Sequence, residues 1–179
     1  MNKKLFADPF VLPYAQIDLK NATVSIRDGS SPINSLDVTI GEGNLTWTER
    51  RNVEYTLDRG VIDEVRLGDQ VPVEISLDAV WEYITTESSS NATVTVPDAL
   101  NKTGGAAAWT STDADACRPY SVDLRILYIP DCGTGDLETI TLSDFRWEQH
   151  DYDLRAGTFS ISGRCNIQRA TAARASQTT

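Results

Sequence analysis

The feature that most constrains the fold is the alternation through "VPVEISLDAVWEYI", residues 71–84. Val71, Val73, Ile75, Leu77, Ala79, Trp81 and Tyr83 fall on one side; Pro72, Glu74, Ser76, Asp78, Val80, Glu82 and Ile84 fall on the other. Successive side chains of a β-strand point to opposite faces, so the pattern specifies an extended segment with one apolar and one acidic face. Its fourteen residues, at about 3.3 Å each, would span roughly 46 Å, far longer than a common strand. Burying the apolar set at roughly 1.5–3 kcal/mol per large side chain supplies around 10 kcal/mol, enough to fix the register. The carboxylates of Glu74, Asp78 and Glu82 then face outward, where water or a water-filled channel must solvate them.

The same period runs through the rest of the chain. Gln16 to Arg27 reads as a first strand, with a parity change that predicts a bulge near Asn21. Leu36, Val38 and Ile40 alternate before a "GEG" break. Leu45–Glu49 and Val53–Leu57 flank "ERRN", which reads as a hairpin with Arg50 and Arg51 at a basic tip. Trp47 and Trp81 fall among apolar neighbours and read as core. Tyr120–Ile129, Leu137–Gln149 and Thr158–Gln168 are further strands, the second with a bulge expected at Ser143-Asp144. Residues 85–119 form a long Thr/Ser/Asp/Gly-rich connection, within which Pro97, Asp98 and Gly104 bracket one short helix. A connection of this length is usually functional or mobile. Trp109 lies in it, as a local anchor or a subunit contact. These runs predict an all-β sandwich or barrel. Its domain spans residues 16–168, between an extended arm (1–15) and a mobile tail (169–179) without large apolar side chains.

A formal net charge of −10 disfavours nucleic-acid binding, which rests on Lys and Arg. Asp8, Pro9 and Pro13 interrupt any signal-peptide core, and no apolar run is long enough to span a membrane, so a cytoplasmic product is expected. Cys117, Cys132 and Cys165 have neither disulfide-framework nor zinc spacing; Cys165 reads as a buried strand thiol. The four N-glycosylation sequons, at Asn21, Asn44, Asn91 and Asn101, are expected as chance matches in a Thr-rich chain.

Catalysis has little to stand on. His150 is the one histidine, and its neighbours Asp151 and Asp153 do not converge on it in an extended segment, so it reads as a turn residue. No nucleophile elbow or phosphate loop is present. The expectation is no enzyme, no cofactor and no metal. A Ca²⁺ site in the Asp-rich loop is the weaker alternative.

Two runs, "NLTWTERRNVEYTLDRGVIDEVRLGDQVPVEISLDAVWEYI" and "ETITLSDFRWEQHDYDLRAGTFSISGRCN", resemble the major tail tube proteins of bacteriophages with non-contractile tails. The resemblance covers residues 15–168 in strand order, spacing and fragments such as "GDQVP" and the Phe145/Trp147 pair. It implies a two-sheet sandwich with one short helix, whose inner sheet joins a ring-shaped barrel shared by six copies. Rings would stack into a virion tail tube, assembled in the host cytoplasm, with terminator, tape-measure and distal tail proteins as partners. DNA would pass through the lumen unbound, and no membrane is involved. Glu74, Asp78 and Glu82 would line that lumen, where carboxylates repel phosphate. Arg50, Arg51 or Trp109 would make inter-ring contacts. Arg125 and Arg164 lie on polar strand faces, beside the acids or on the exterior. A tail terminator forming a single ring is the near alternative. A β-sandwich carbohydrate- or ligand-binding module using the Trp109 loop is the alternative from another class.

Overall fold

A computed structural model describes residues 19–81, 94–129 and 136–176. Ten strands lie among them: β1 (Ala22–Arg27), β2 (Ser35–Val38), β3 (Leu45–Thr48), β4 (Val53–Asp58), β5 (Val61–Leu67), β6 (Val73–Val80), β7 (Val122–Tyr128), β8 (Asp136–Asp153), β9 (Thr158–Cys165) and β10 (Thr171–Ser176). The α-helix among them is α1 (Val96–Asn101). One antiparallel sheet runs β2-β1-β7-β8-β9-β6-β3, with β10 added beside β8, while β4 and β5 form a separate two-stranded ribbon. The large sheet does not close. It folds at β8 into two halves that share one core, which is the expected all-β sandwich with one short helix.

The fold at β8 has a local cause. Up to Leu142 this 18-residue strand pairs with β7 and β10, and from Phe145 onward it pairs with β9. Val122 lies opposite Phe145 but Leu124 lies opposite Leu142, so Ser143-Asp144 is the bulge that the parity change predicts. Asp144 there takes φ 56°, a conformation Asp tolerates better than most residues. Its N–H donates to the Asp123 carboxylate at 3.0 Å.

The core draws Val24 and Ile26 from β1, Val122, Leu124 and Ile126 from β7, Phe159, Ile161 and Cys165 from β9, and Val73, Ile75, Leu77 and Ala79 from β6. The apolar face of β6 is therefore buried as expected, but the strand is shorter than the alternation suggested. It occupies eight residues, Val73–Val80. Pro72 lacks the N–H a ladder position needs, and residues 82–93, Glu82 among them, lie outside the described residues, as do Cys132 and the arm 1–15. Burial pushes the Cys165 thiol up to about 12, which makes it the inert buried thiol expected.

Four other expectations are corrected. Residues 19–21 form a 3-10 turn ahead of β1 rather than a strand with a bulge. Leu45–Thr48 pairs with β6, not with Val53–Leu57, so "ERRN" is a connection; the real hairpin is β4–β5, whose turn is Arg59-Gly60. Thr171–Ser176, read as a mobile tail, is β10, paired with Thr141–Asp136 of β8 and joined to it by Arg174–Glu138 at 3.4 Å. The described part of the long connection is held against the body. Thr95 and Asp98 form a capping box at the start of α1, Lys102 ends it in the left-handed region, and Leu100, Ala106 and Trp109 enter the core.

Asp28 ties this connection to β1. It is 3% exposed and accepts from Ser30 Oγ (2.7 Å), Asn34 N (2.8 Å), Asn34 Nδ2 (2.9 Å) and Thr110 N (3.1 Å). Burial raises its pKa, but the bonds from Asn34, Ser30 and Thr110 outweigh this and hold it below the usual carboxylate value. Asp28→Ala leaves these donors without an acceptor and should cost roughly 2–3 kcal/mol in a urea melt. In the wild type this contribution is full above the unfolded value of 3.8 and is lost as the pH falls through the lower folded value. An acid melt unchanged by Asp28→Ala would refute the assignment.

Candidate assembly surfaces

The half-sheet β3-β6-β9-β8 has a core face and a polar face, because its register aligns like with like. Ile75 stands opposite Trp47 and Gly163, and Leu77 opposite Leu45 and Ile161. Glu74 stands opposite Thr48 and Arg164, Ser76 opposite Thr46 and Ser162, and Asp78 opposite Ser160. On β8 the polar row continues through Gln149 and Asp151, opposite Ser162 and Ser160. Glu74 and Asp78 thus share one broad hydroxyl- and carboxylate-bearing surface. Asp78 accepts from Ser160 Oγ at 2.6 Å. Glu74 pairs with Arg50 at 3.1 Å, and Arg164 reaches Glu148 at 3.5 Å. Of the two arginines left open by the sequence, Arg164 lies beside the acids, whereas Arg125 lies on β7 in the other half.

Among the described residues both edges of this half-sheet are open. β7 leaves β8 at Phe145, so from Arg146 to Asp153 only β9 of the described strands runs beside it; β3 is the other edge. Aromatics at these edges, and Trp81 just past the end of the inner strand β6, face the core side yet extend past it. Trp47 is 37% exposed, Trp81 and Trp147 are each 40% and Tyr152 is 46%. The core reading of Trp47 and Trp81 is therefore corrected: the alternation assigns their face, but the core ends short of them. Trp147 packs on His150 with centroids 4.3 Å apart, and Trp81 on Tyr152 at 5.1 Å. Gly163 lets β9 pass the Arg146–Trp147 backbone, since a Cβ there would collide with the Arg146 carbonyl.

The β4–β5 ribbon stands away from the core. Tyr55, Leu57, Ile62, Val65 and Leu67 share one face and are 54–71% exposed. Glu54 and Arg66, paired at 2.8 Å, lie on the other. Its turn takes φ 50° at Arg59 and 84° at Gly60, the conformation of a two-residue hairpin loop. Arg50 and Arg51 are not at this tip; with Asp69 and Arg169 they line a cleft of about 530 Å³ at the ribbon's root. Trp109, the third proposed contact, is 5% exposed inside the subunit. It anchors the loop locally and offers no platform for stacking a sugar.

His150 lies within β8 rather than in a turn. Its Nδ1 is 3.3 Å from Tyr152 Oη, and burial pushes its pKa down. Asp151 stands on the opposite face with Gln149, while Asp153 accepts from the Arg155 and Ala156 N–H groups at 2.8 and 3.1 Å. Asp151 and Asp153 therefore do not converge on His150. Among the described residues no cluster of three His, Cys, Asp or Glu is arranged to hold a metal, and no helix is long and apolar enough to cross a membrane.

The chain is similar over most of its length to solved assembly proteins. One is the sheath/tube terminator of an extracellular contractile injection system, PVC, in its extended state: TM-score 0.55, 13% identity, 89% of this chain and 97% of that one. Another is the tube-terminating cap of the anti-feeding prophage: TM-score 0.55, 13% identity, 97% of this chain and 100% of that one. The chain shares their fold. A chain of the PVC sheath-tube complex is also similar, at TM-score 0.51 and 13% identity over 92% of this chain and 95% of that one. These likenesses lie with contractile systems, whereas the sequence fragments resemble tubes of non-contractile tails. No protein-family model and no curated protein sequence matches the chain.

Proposed function

We propose that this chain is a non-enzymatic structural subunit that assembles as hexameric rings in a phage-tail-like tube, alongside other tail proteins. The observation that carries the reading is the open, four-stranded half-sheet on a chain that shares the fold of tube terminators over 89–97% of its length. Successive strands β8, β9, β6 and β3 are all antiparallel. Four is an even number, so rotating one copy onto the next places β3 antiparallel to the open edge of β8. A closed barrel then removes both edges, which a free all-β subunit must otherwise protect. Its polar face, with Glu74 and Asp78, becomes the lumen wall, and the ribbon reaches a neighbouring copy in the stack.

A terminating ring is the second reading, favoured by the likeness to the two terminators. Negative-stain electron microscopy of the purified chain tests both. Hollow tubes with a six-fold end view support the stacking subunit, and single hexameric rings support the terminator. A monomer at every concentration up to the millimolar range refutes ring assembly.

A further inference from the structure

Resting on the ring reading, we infer that an aromatic seam holds neighbouring subunits together: Trp47 of one copy packs along the Trp147–His150–Tyr152 ladder of the next. The two patches lie on opposite edges of one half-sheet and on the same, core-side face. Trp47, Ile75, Gly163 and Trp147 form a single row across it, beginning on β3 and ending on β8. A ring that pairs β3 with β8 continues this row from copy to copy. The stagger of tilted barrel strands then decides where along the ladder Trp47 lands.

The exposed aromatic surface makes the occupant a second copy. Each edge ends in large rings that its own core leaves 37–46% exposed. With Trp81, which packs on Tyr152, these rings amount to roughly 300 Å² of uncovered aromatic surface. Gly163 contributes no side chain between Ile75 and Trp147, leaving the Trp147 indole standing at the edge. His150 extends the apolar stack. Its ring lies between those of Trp147 and Tyr152, 4.3 and 6.1 Å away, and its Nε2 is buried without a hydrogen-bond partner among the described residues.

The test is a double-mutant cycle on association. Trp47→Ala, Trp147→Ala and the double variant are compared with wild type by dilution in the analytical ultracentrifuge. Each single change should weaken subunit association about tenfold or more. The double change should weaken it by clearly less than the product of the two. Thermal melts of the dissociated subunits check that the effect lies in association. For any variant that does not fold, Trp47→Phe supplies the second readout: wild-type tryptophan emission should shift to shorter wavelength on assembly, with a smaller shift in Trp47→Phe. Wild-type rings whose association and emission are unchanged by these substitutions, or whose cycle is purely multiplicative, overturn the seam alone. A wild type that never leaves the monomeric state overturns the ring reading and the seam together.

Discussion

Placing Asp at both Leu57 and Val65 should abolish stacking while leaving the subunit folded. Both residues lie on the apolar face of the β4–β5 ribbon, 62% and 54% exposed, and the ribbon contributes nothing to the core cluster. The loss of subunit stability should therefore stay within about 0.5 kcal/mol, the usual range for surface substitutions. An interface built on that face would instead have to bury two carboxylates without partners, and a hundredfold or greater fall in inter-ring affinity is expected. Sedimentation of tubes or ring pairs reads the effect, and circular dichroism melts read the fold. Stacks of unchanged length and yield would show that the ribbon is not an inter-ring contact.

Charge reversal on the polar face should have the second large effect. Glu74→Lys with Asp78→Lys removes two negative and adds two positive charges per subunit, a net change of +4, on a surface now bearing Glu74, Asp78, Glu148 and Asp151 around Arg164. If that face lines a lumen, assembled particles should change from ignoring DNA to binding it, with affinity falling steeply as salt rises. Electrophoretic mobility of linear DNA at about 50 and 200 mM salt separates the outcomes. Equal DNA binding by wild type and variant particles would remove the electrostatic role of the acids. The Arg50–Glu74 pair, at 3.1 Å, is lost in this variant, so Asp78→Lys alone is the companion that leaves it intact.

Much of the body was legible in the sequence because its signals are local. The alternation in β6, the parity change at Ser143-Asp144 and the Pro97-Asp98 helix start each depend on neighbouring residues, and the structure realises all three. The hairpin was misplaced because strand pairing is long-range. β3 has a partner some thirty residues away in β6, and nothing in "ERRN" reveals it. The usable signal was Gly60, whose positive φ completes a two-residue turn between "VEYTLD" and "VIDEVRL". β10 escaped notice because a strand of Thr, Ala, Arg and Ser is held by backbone bonds and leaves no hydropathy trace. Trp47, Trp81 and Trp147 illustrate a different limit: period two assigns a face, while the boundary of the core depends on tertiary packing.

The length of β8 has a mechanical consequence. Its backbone runs unbroken from the half-sheet shared with β1 and β7 into the half-sheet shared with β6 and β9. A load applied to either layer therefore travels along a covalent spar as well as across side-chain contacts. The layers can flex about the kink at Asp144, but they cannot shear apart until the hydrogen bonds of that spar fail. For a protein whose neighbours would push and pull on opposite surfaces, such a member keeps inner and outer walls moving as one.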